Sequence, residues 1–334
     1  MRVLITGGAG FIGANLCREF NRRGHSVAVL DNLSTGRKSN LRHDPVVGDV
    51  SAELTVGSIL DLELVTELAA SCDAIVHLAA RSSVPRSLDN PMASHTANAT
   101  GTLTVLEAAR AVGGRHVVMA SSSSVYGANP ELPKRESGAT RPMSPYAASK
   151  LAAEAYAIAY GTSFDIPTLA FRFFNVFGPL QPAGHAYAAV IPAFVDAALR
   201  GSKITVHGDG TQSRDFTHVS TVCSTIAHAI ENGISSPDPV NLAFGSRITL
   251  NEILSLLADR VDAPLIIENI ANRVGDVPHS QADSTLLRSL FPRVEPFDFI
   301  AGLEGTIEWM RHAIESGNSS DIDLSTDSLG LAQP

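Results

Sequence analysis

The chain has 334 residues, 44% of them apolar and 18% charged, and a formal net charge of −9. This length exceeds one ordinary domain and the composition is that of a soluble globular protein, which excludes a disordered or fibrous chain. The negative charge argues against a nucleic-acid groove or an anionic membrane surface as partner, and an anionic small ligand would need locally placed cations.

The opening MRVLITGGAG carries one basic residue and has glycines where a signal peptide would have its apolar run, so it reads as a first strand. Short β-branched runs at 3–6, 26–31, 74–78, 116–121 and 168–173 are predicted to be buried parallel strands. Between them, 13–23, 60–70, 93–112 and 145–162 have the length and apolar spacing of crossover helices, and a doubly wound α/β sheet follows. After Phe174 the pattern loosens into loops bearing Pro and Gly, with helices expected at 188–200, 219–232 and about 301–315. The segments around Arg214 and 241–244 look strand-like. The expected division is therefore a cofactor domain of 1–174 plus about 213–245, a smaller α/β substrate lobe of 175–212 plus about 246–316, and a disordered tail at 317–334. No uncharged apolar stretch approaches the roughly 20 residues that cross a bilayer. Three cysteines (Cys17, Cys72, Cys223) with no close pair fit a reducing cytoplasm.

TGGAGFIG places Gly7, Gly10 and Gly13 after a strand and at the opening of a helix, where glycine lets backbone N–H groups approach a pyrophosphate. The second strand ends at Asp31, eighteen residues beyond Gly13, where a carboxylate accepts ribose hydroxyls and repels a 2′-phosphate, so NAD is favoured over NADP. Arg37 and Lys38 in the same loop read as a solvated turn. Farther on, Ser121–Ser124 lead into Val125, Tyr126 and Gly127, and Tyr146 is followed four residues later by Lys150 on a predicted helix, sharing one face. A tyrosine with a pKa of about 10 is a poor base at neutral pH unless a nearby positive charge stabilises the phenolate, and Lys150 supplies that charge. Tyr146 then removes a proton from a sugar hydroxyl, Ser122 bonds the same oxygen and the nicotinamide takes the hydride.

With TGGAGFIG, DNLSTG (31–36), HLAA (77–80), ASSSSVYG (120–127), SPYAASK (144–150), FFNVFGP (173–179), AYAAVIP (186–192), GDGTQSRDF (208–216) and GDVPHSQAD (275–283), the sequence resembles the extended short-chain dehydrogenases over about residues 1–315. Among these it is most similar to the UDP-glucose and UDP-N-acetylglucosamine 4-epimerases. The resemblance implies a Rossmann-type sheet with catalytic Ser122, Tyr146 and Lys150. It implies an NAD site of Gly7, Gly10, Phe11, Ile12, Gly13, Asp31, Asn32, Thr35, Gly36, Ser58, Ile59, Leu78, Ala79, Ala80, Asn98, Ser121, Tyr146, Lys150 and Phe173. For the nucleotide sugar it implies Ser82, Ser122, Ser123, Tyr146, Asn175, Ala189, Val190, Thr205, His207, Arg214, Arg273, Asp276 and Ser280, with Arg214 and Arg273 clamping the diphosphate. Two departures are Ser58, where many relatives have an Asp that touches adenine, and Val274, in a turn that usually reads Arg-Pro-Gly-Asp.

Sugar dehydratases resemble this chain but place an acidic residue at Ser124, often with Asp at Ser123. Hydroxyls at both positions favour epimerisation. Asn175 matches the glucose and N-acetylglucosamine epimerases, whereas glucuronate epimerases usually carry Thr there; a UDP-uronic acid or UDP-pentose 4-epimerase is the alternative. Ser280 falls where enzymes restricted to unsubstituted sugars tend to have Tyr, so a small side chain leaves volume for an N-acetyl group; the alternative is a plain loop residue in a glucose-type enzyme. A reading of another class, an NAD-binding sensor or scaffold without turnover, is disfavoured by the complete Ser, Tyr and Lys set. The eleven histidines show no metal-like spacing; His77 at a strand end and His279 in the substrate loop read as packing or polar contacts, and no metal is expected. The helices at 93–112 and 145–162 are rich in small apolar residues on more than one face, and the resemblance implies that they pair in a homodimer. The alternative is a single buried helix layer.

Overall fold

A parallel sheet covered on both faces needs strands without a polar side, and the sequence supplies them. β1 (Arg2–Thr6), β2 (Ser26–Asp31), β4 (Ala74–His77), β5 (His116–Ser122) and β6 (Thr168–Phe173) bury nearly every residue. With β3 (Glu53–Val56) and β7 (Val240–Leu242) they form one seven-stranded sheet in the order β7-β6-β5-β4-β1-β2-β3, all neighbours parallel. This computed structural model describes residues 1–183, 188–271 and 278–317. Arg273, Asp276 and, apart from Gly317, the tail expected to be disordered lie outside the described residues.

Side chains alternate across the sheet and sort the helices. Val3 and Ile5 face α1 (Phe11–Arg22) and the helix Val219–Glu231, whereas Leu4 faces α2 (Leu62–Ala70), α3 (Gly101–Ala111) and α4 (Pro145–Phe164). The chain runs outward from β1 to β3 and returns to β4, so the order reverses between β1 and β4. Open sheets of this kind bind ligands at that reversal, outside the carboxyl ends of the strands.

Two expectations change. The stretch 93–112 is not a uniform α-helix: Pro91–His95 and α3 are joined by a π turn at Thr96–Thr100. The strand-like segment around Arg214 does not join the sheet; Ser213–Arg214 pairs antiparallel with Ile248–Thr249, and only Val240–Leu242 extends the sheet at β6. Strand β3 was not predicted, because ELTV is short, half-exposed and carries a charge, as edge strands do. The second lobe packs Val190–Leu199, Leu250–Ala258 and Phe299–Glu315 on Ile204 and Val206 of Lys203–His207, itself paired with Ile266–Ile270.

One buried ion pair ties α4 to the sheet. Arg172 of β6 forks onto Glu154 of α4 at 2.6 and 2.9 Å, and Glu154 also accepts the Ser121 hydroxyl at 2.6 Å. The guanidinium lies over the Tyr126 ring at 4.7 Å. Removing one partner leaves a buried charge unpaired, so Glu154→Ala should cost about 3–5 kcal/mol. Glu53→Ala, which breaks the exposed pair with Arg2, should cost under about 1 kcal/mol. Denaturant unfolding of both variants checks the contrast, and equal losses would refute it.

Candidate active site

The turn between β1 and α1 admits only glycine at two points. Gly7 has φ +73°, and a Cβ there would stand 2.7 Å from the Ala79 nitrogen; a Cβ on Gly13 would stand 2.3 Å from the Gly7 carbonyl oxygen. The turn is thereby pressed against the chain leaving β4 and the helix against the turn. Gly10 caps α1 without a side chain, and the first turn, with Phe11 and Ile12, has no acidic residue. Its N–H groups therefore face whatever lies in front of them, as an anion site requires.

Asp31 closes β2 beside this turn. Its carboxylate accepts from the N–H groups of Ala9 at 3.0 Å and Leu33 at 2.8 Å, and a Cβ on Gly36 would come within 2.7 Å of it. Burial pushes this carboxyl up, and the two N–H groups draw it back. Its remaining lone pairs suit ribose hydroxyls. Asn32 is exposed and accepts from Ser34 N–H, with Thr35 and Gly36 completing the turn. After β3, the Ser58 hydroxyl accepts from Leu60 N–H at 3.2 Å, and Ile59 fills the space over Gly101. A cradle that any Cβ would fill, an uncapped helix start and a fixed carboxylate together fit a dinucleotide.

After β4, Leu78 and Ala79 bond to the Thr6 carbonyl and hydroxyl. Ala80 and Arg81 follow. Asn98, in the π turn, accepts from Arg81 N–H at 2.7 Å and donates to Arg81 carbonyl at 3.2 Å and Ser149 hydroxyl at 2.9 Å. Its amide is engaged by the protein itself, which makes it a clamp on this segment. Ser82 is exposed.

Ser122 ends β5, and its hydroxyl accepts from Ser124 N–H at 3.1 Å. Ser121 points to the opposite face, toward Glu154, so it can offer the site only its backbone; Ser123 is partly exposed in the turn and Phe173 partly buried at the end of β6. Tyr146 lies in the first turn of α4, which Ser144 caps by accepting from Ala147 N–H and Pro145 opens, and Lys150 follows one turn on. Burial pushes the Tyr146 phenol above its usual value of 10, and the adjacent Ser122 hydroxyl draws it back. Lys150 is buried, donates to the Ala120 carbonyl at 2.9 Å and is pushed down to about 8 by burial. The Ala120 carbonyl holds the Lys150 ammonium in place, and the field of that charge is felt at His77.

In the second lobe, three predicted residues converge on Ser213–Asp215. Asn175 donates to the Asp215 carbonyl at 3.0 Å, Arg214 to the carbonyls of Ser213 and Pro278 at 3.0 Å, and Ser280 N–H to the Ser213 carbonyl at 3.0 Å. Ala189 caps the helix that Val190 begins. Thr205 and His207 lie apart on Lys203–His207, with His207 near the Ala271 carbonyl. Sequence reasoning missed Asp215, whose buried carboxylate accepts from Gly245 N–H, Ala282 N–H and the Ser246 hydroxyl and so gathers these loops. It also missed Arg247, which donates to the Ser213 hydroxyl at 3.3 Å. Among the described residues no cluster of three His, Cys, Asp or Glu side chains is placed to hold a metal, and no helix is long and apolar enough to cross a membrane.

The depressed lysine sets a pH dependence. Below a pH of about 8 Lys150 is charged folded and unfolded, and folding carries the burial cost; between about 8 and 10.5 the unfolded chain holds a proton the folded chain has lost, so this cost fades as pH rises. Lys150→Met should therefore be more stable than wild type by up to about 3 kcal/mol at about pH 7, with the gain shrinking above about pH 8. Equilibrium unfolding at several pH values tests this, and a less stable variant at neutral pH would show that the Ala120 bond outweighs desolvation.

Comparison with known proteins places this architecture. Residues 3–243 match the model of the NAD dependent epimerase/dehydratase family. The chain is 36% identical over 314 residues to a UDP-glucose 4-epimerase of Mycolicibacterium smegmatis, covering 93% of this chain and 99% of that one. It is 32% identical over 334 residues to a probable UDP-glucuronate 4-epimerase of Rhizobium meliloti, covering 92% and 96%. The solved UDP-N-acetylglucosamine 4-epimerase of Methanobrevibacter ruminantium, in complex with UDP-N-acetylmuramic acid, superposes with a TM-score of 0.86 at 32% identity, covering 92% and 97%. The chain thus belongs to the NAD-dependent epimerase/dehydratase family.

Proposed function

We propose that this enzyme is a nucleotide-sugar 4-epimerase that interconverts UDP-glucose with UDP-galactose and UDP-N-acetylglucosamine with UDP-N-acetylgalactosamine. The observation that carries this reading is the set Ser122, Tyr146 and Lys150 with hydroxyls, and no carboxylate, at Ser123 and Ser124. A dehydratase needs a group that moves a second proton, and serine has no basicity for that task.

NAD, when bound, would supply reversible hydride acceptance at carbon 4 of the sugar. Tyr146 takes the proton of the 4-hydroxyl and later returns it. The Ser122 hydroxyl, adjacent to the phenol, holds the same oxygen. Lys150 keeps a cation behind them that favours the phenolate. Arg214 is the described cation for the diphosphate, and Asn175 and Ser280 line the same loops. Supporting the acetylated pair is the small side chain of Ser280, with its backbone fixed to Ser213.

Purified protein should convert both UDP-glucose and UDP-N-acetylglucosamine to their 4-epimers, resolved chromatographically. Tyr146→Phe should lower kcat by at least about 100-fold, and Ser280→Tyr should suppress only the acetylated pair. Wild-type activity in Tyr146→Phe would refute the mechanism, and equal loss on both pairs would refute the Ser280 argument. Conversion of neither, with turnover of UDP-uronic acids or UDP-pentoses, would favour that reading, to which the Rhizobium relative lends support.

We also propose a homodimer. Leu88, Met92, Tyr156 and Phe164 are 62%, 71%, 41% and 50% exposed on the short helices Val84–Asp89 and Pro91–His95 and on α4, an apolar surface suited to a second copy. Sedimentation at micromolar concentration should show a dimer, and a clean monomer would refute it.

A further inference from the structure

His77 ends β4, is 3% exposed, and has both ring nitrogens engaged. Nε2 lies 3.0 Å from the Thr102 hydroxyl and Nδ1 lies 2.7 Å from the Thr6 hydroxyl. Thr102 gives its single proton to the Asn98 carbonyl at 2.6 Å. At the imidazole it can therefore only accept, and Nε2 must carry the hydrogen. Nδ1 is then bare in the neutral ring and accepts from Thr6, whose oxygen faces Ala79 N–H at 3.4 Å. Burial and the Lys150 ammonium both disfavour a charged ring and push it down to about 3.

The bonds run in one direction on each side of the ring. Ala79 N–H points to Thr6, and Thr6 to Nδ1; Nε2–H points to Thr102, and Thr102 to Asn98. Asn98 in turn clamps both backbone groups of Arg81 and the hydroxyl of Ser149, the neighbour of Lys150. Ala79 is also the residue against which Gly7 closes. One imidazole thus joins the strand before the glycine turn to the π turn that sets residues 79–81.

We propose that His77 is a positioning residue of the NAD site: a neutral imidazole fixed as the Nε2–H tautomer, whose donation to Thr102 seats the π turn and, through the Asn98 clamp, the backbone that the glycine turn abuts. This rests on the cofactor and is independent of which sugar is turned over.

Two measurements test it. Long-range proton–nitrogen correlation spectra of the NAD-bound protein labelled at histidine, with the His77 signal assigned by its loss in His77→Gln, should show a neutral Nε2–H ring at about pH 7. An Nδ1–H or charged ring overturns the proposal, and only the assignment uses a variant. Glutamine can place a donor where Nε2 lies, whereas asparagine reaches only the Nδ1 side. Equilibrium dialysis should find NAD affinity within about threefold of wild type for His77→Gln and at least about tenfold weaker for His77→Asn, as for loss of one buried hydrogen bond. Equal affinity in the two variants overturns it.

Discussion

The close approach of the Gly7 turn to the backbone of Ala79 is the constraint on which the site depends. Those two segments leave adjacent parallel strands at the one place where the sheet reverses its order, so their separation fixes the crevice. A side chain at Gly7 would separate them, and one at Gly13 would lift α1 from the turn. Both would misplace the helix start that is to meet a pyrophosphate. The burial of Val3, Leu4 and Ile5 anchors the turn from one side, and the π turn holding Asn98 anchors the 79–81 segment from the other.

Much of this was legible in the sequence because the physical demands are local. Only glycine tolerates the backbone at Gly7, and only an unbroken apolar run suits a strand buried on both faces, so the first half of the chain declares its strands and its turn. The pair Tyr146 and Lys150 declares itself by helical spacing. Less visible was anything decided by packing between distant segments. The π turn looks like ordinary helix, because TANAT has no signal that distinguishes one extra residue per turn. Glu154 and Arg172, eighteen positions apart, look like solvated charges until the fold buries both. Lys150 shows the same limit: spacing places it on the face of Tyr146, whereas its bond to the Ala120 carbonyl, in another element, is visible only in the fold.

The two lobes differ in how their polar groups are satisfied, and this bears on how each can vary. Behind β5 and beside β4, several buried polar side chains close upon one another: Ser121 on Glu154, Glu154 on Arg172, His77 on Thr6 and Thr102. Each member is constrained by its partners, since a half-satisfied buried network is costly. In the second lobe, Asp215 and Arg214 bond chiefly to backbone N–H and carbonyl groups of the loops at 245–246 and 278–282. Backbone groups are present whatever the side chains are.

That asymmetry explains why chemistry and substrate choice separate within one architecture. An anchor that holds main chain leaves a side chain such as that of Ser280 free to change without loosening the loop that carries it. A change at Ser121 or Glu154, by contrast, would strand a buried partner directly behind the strand that carries Ser122 and the helix that carries Tyr146 and Lys150. The hydroxyl, phenol and ammonium proposed to perform the reaction therefore sit beside a buried pair that tolerates little alteration. The residues proposed to distinguish one nucleotide sugar from another sit on loops whose fixation does not depend on their identity.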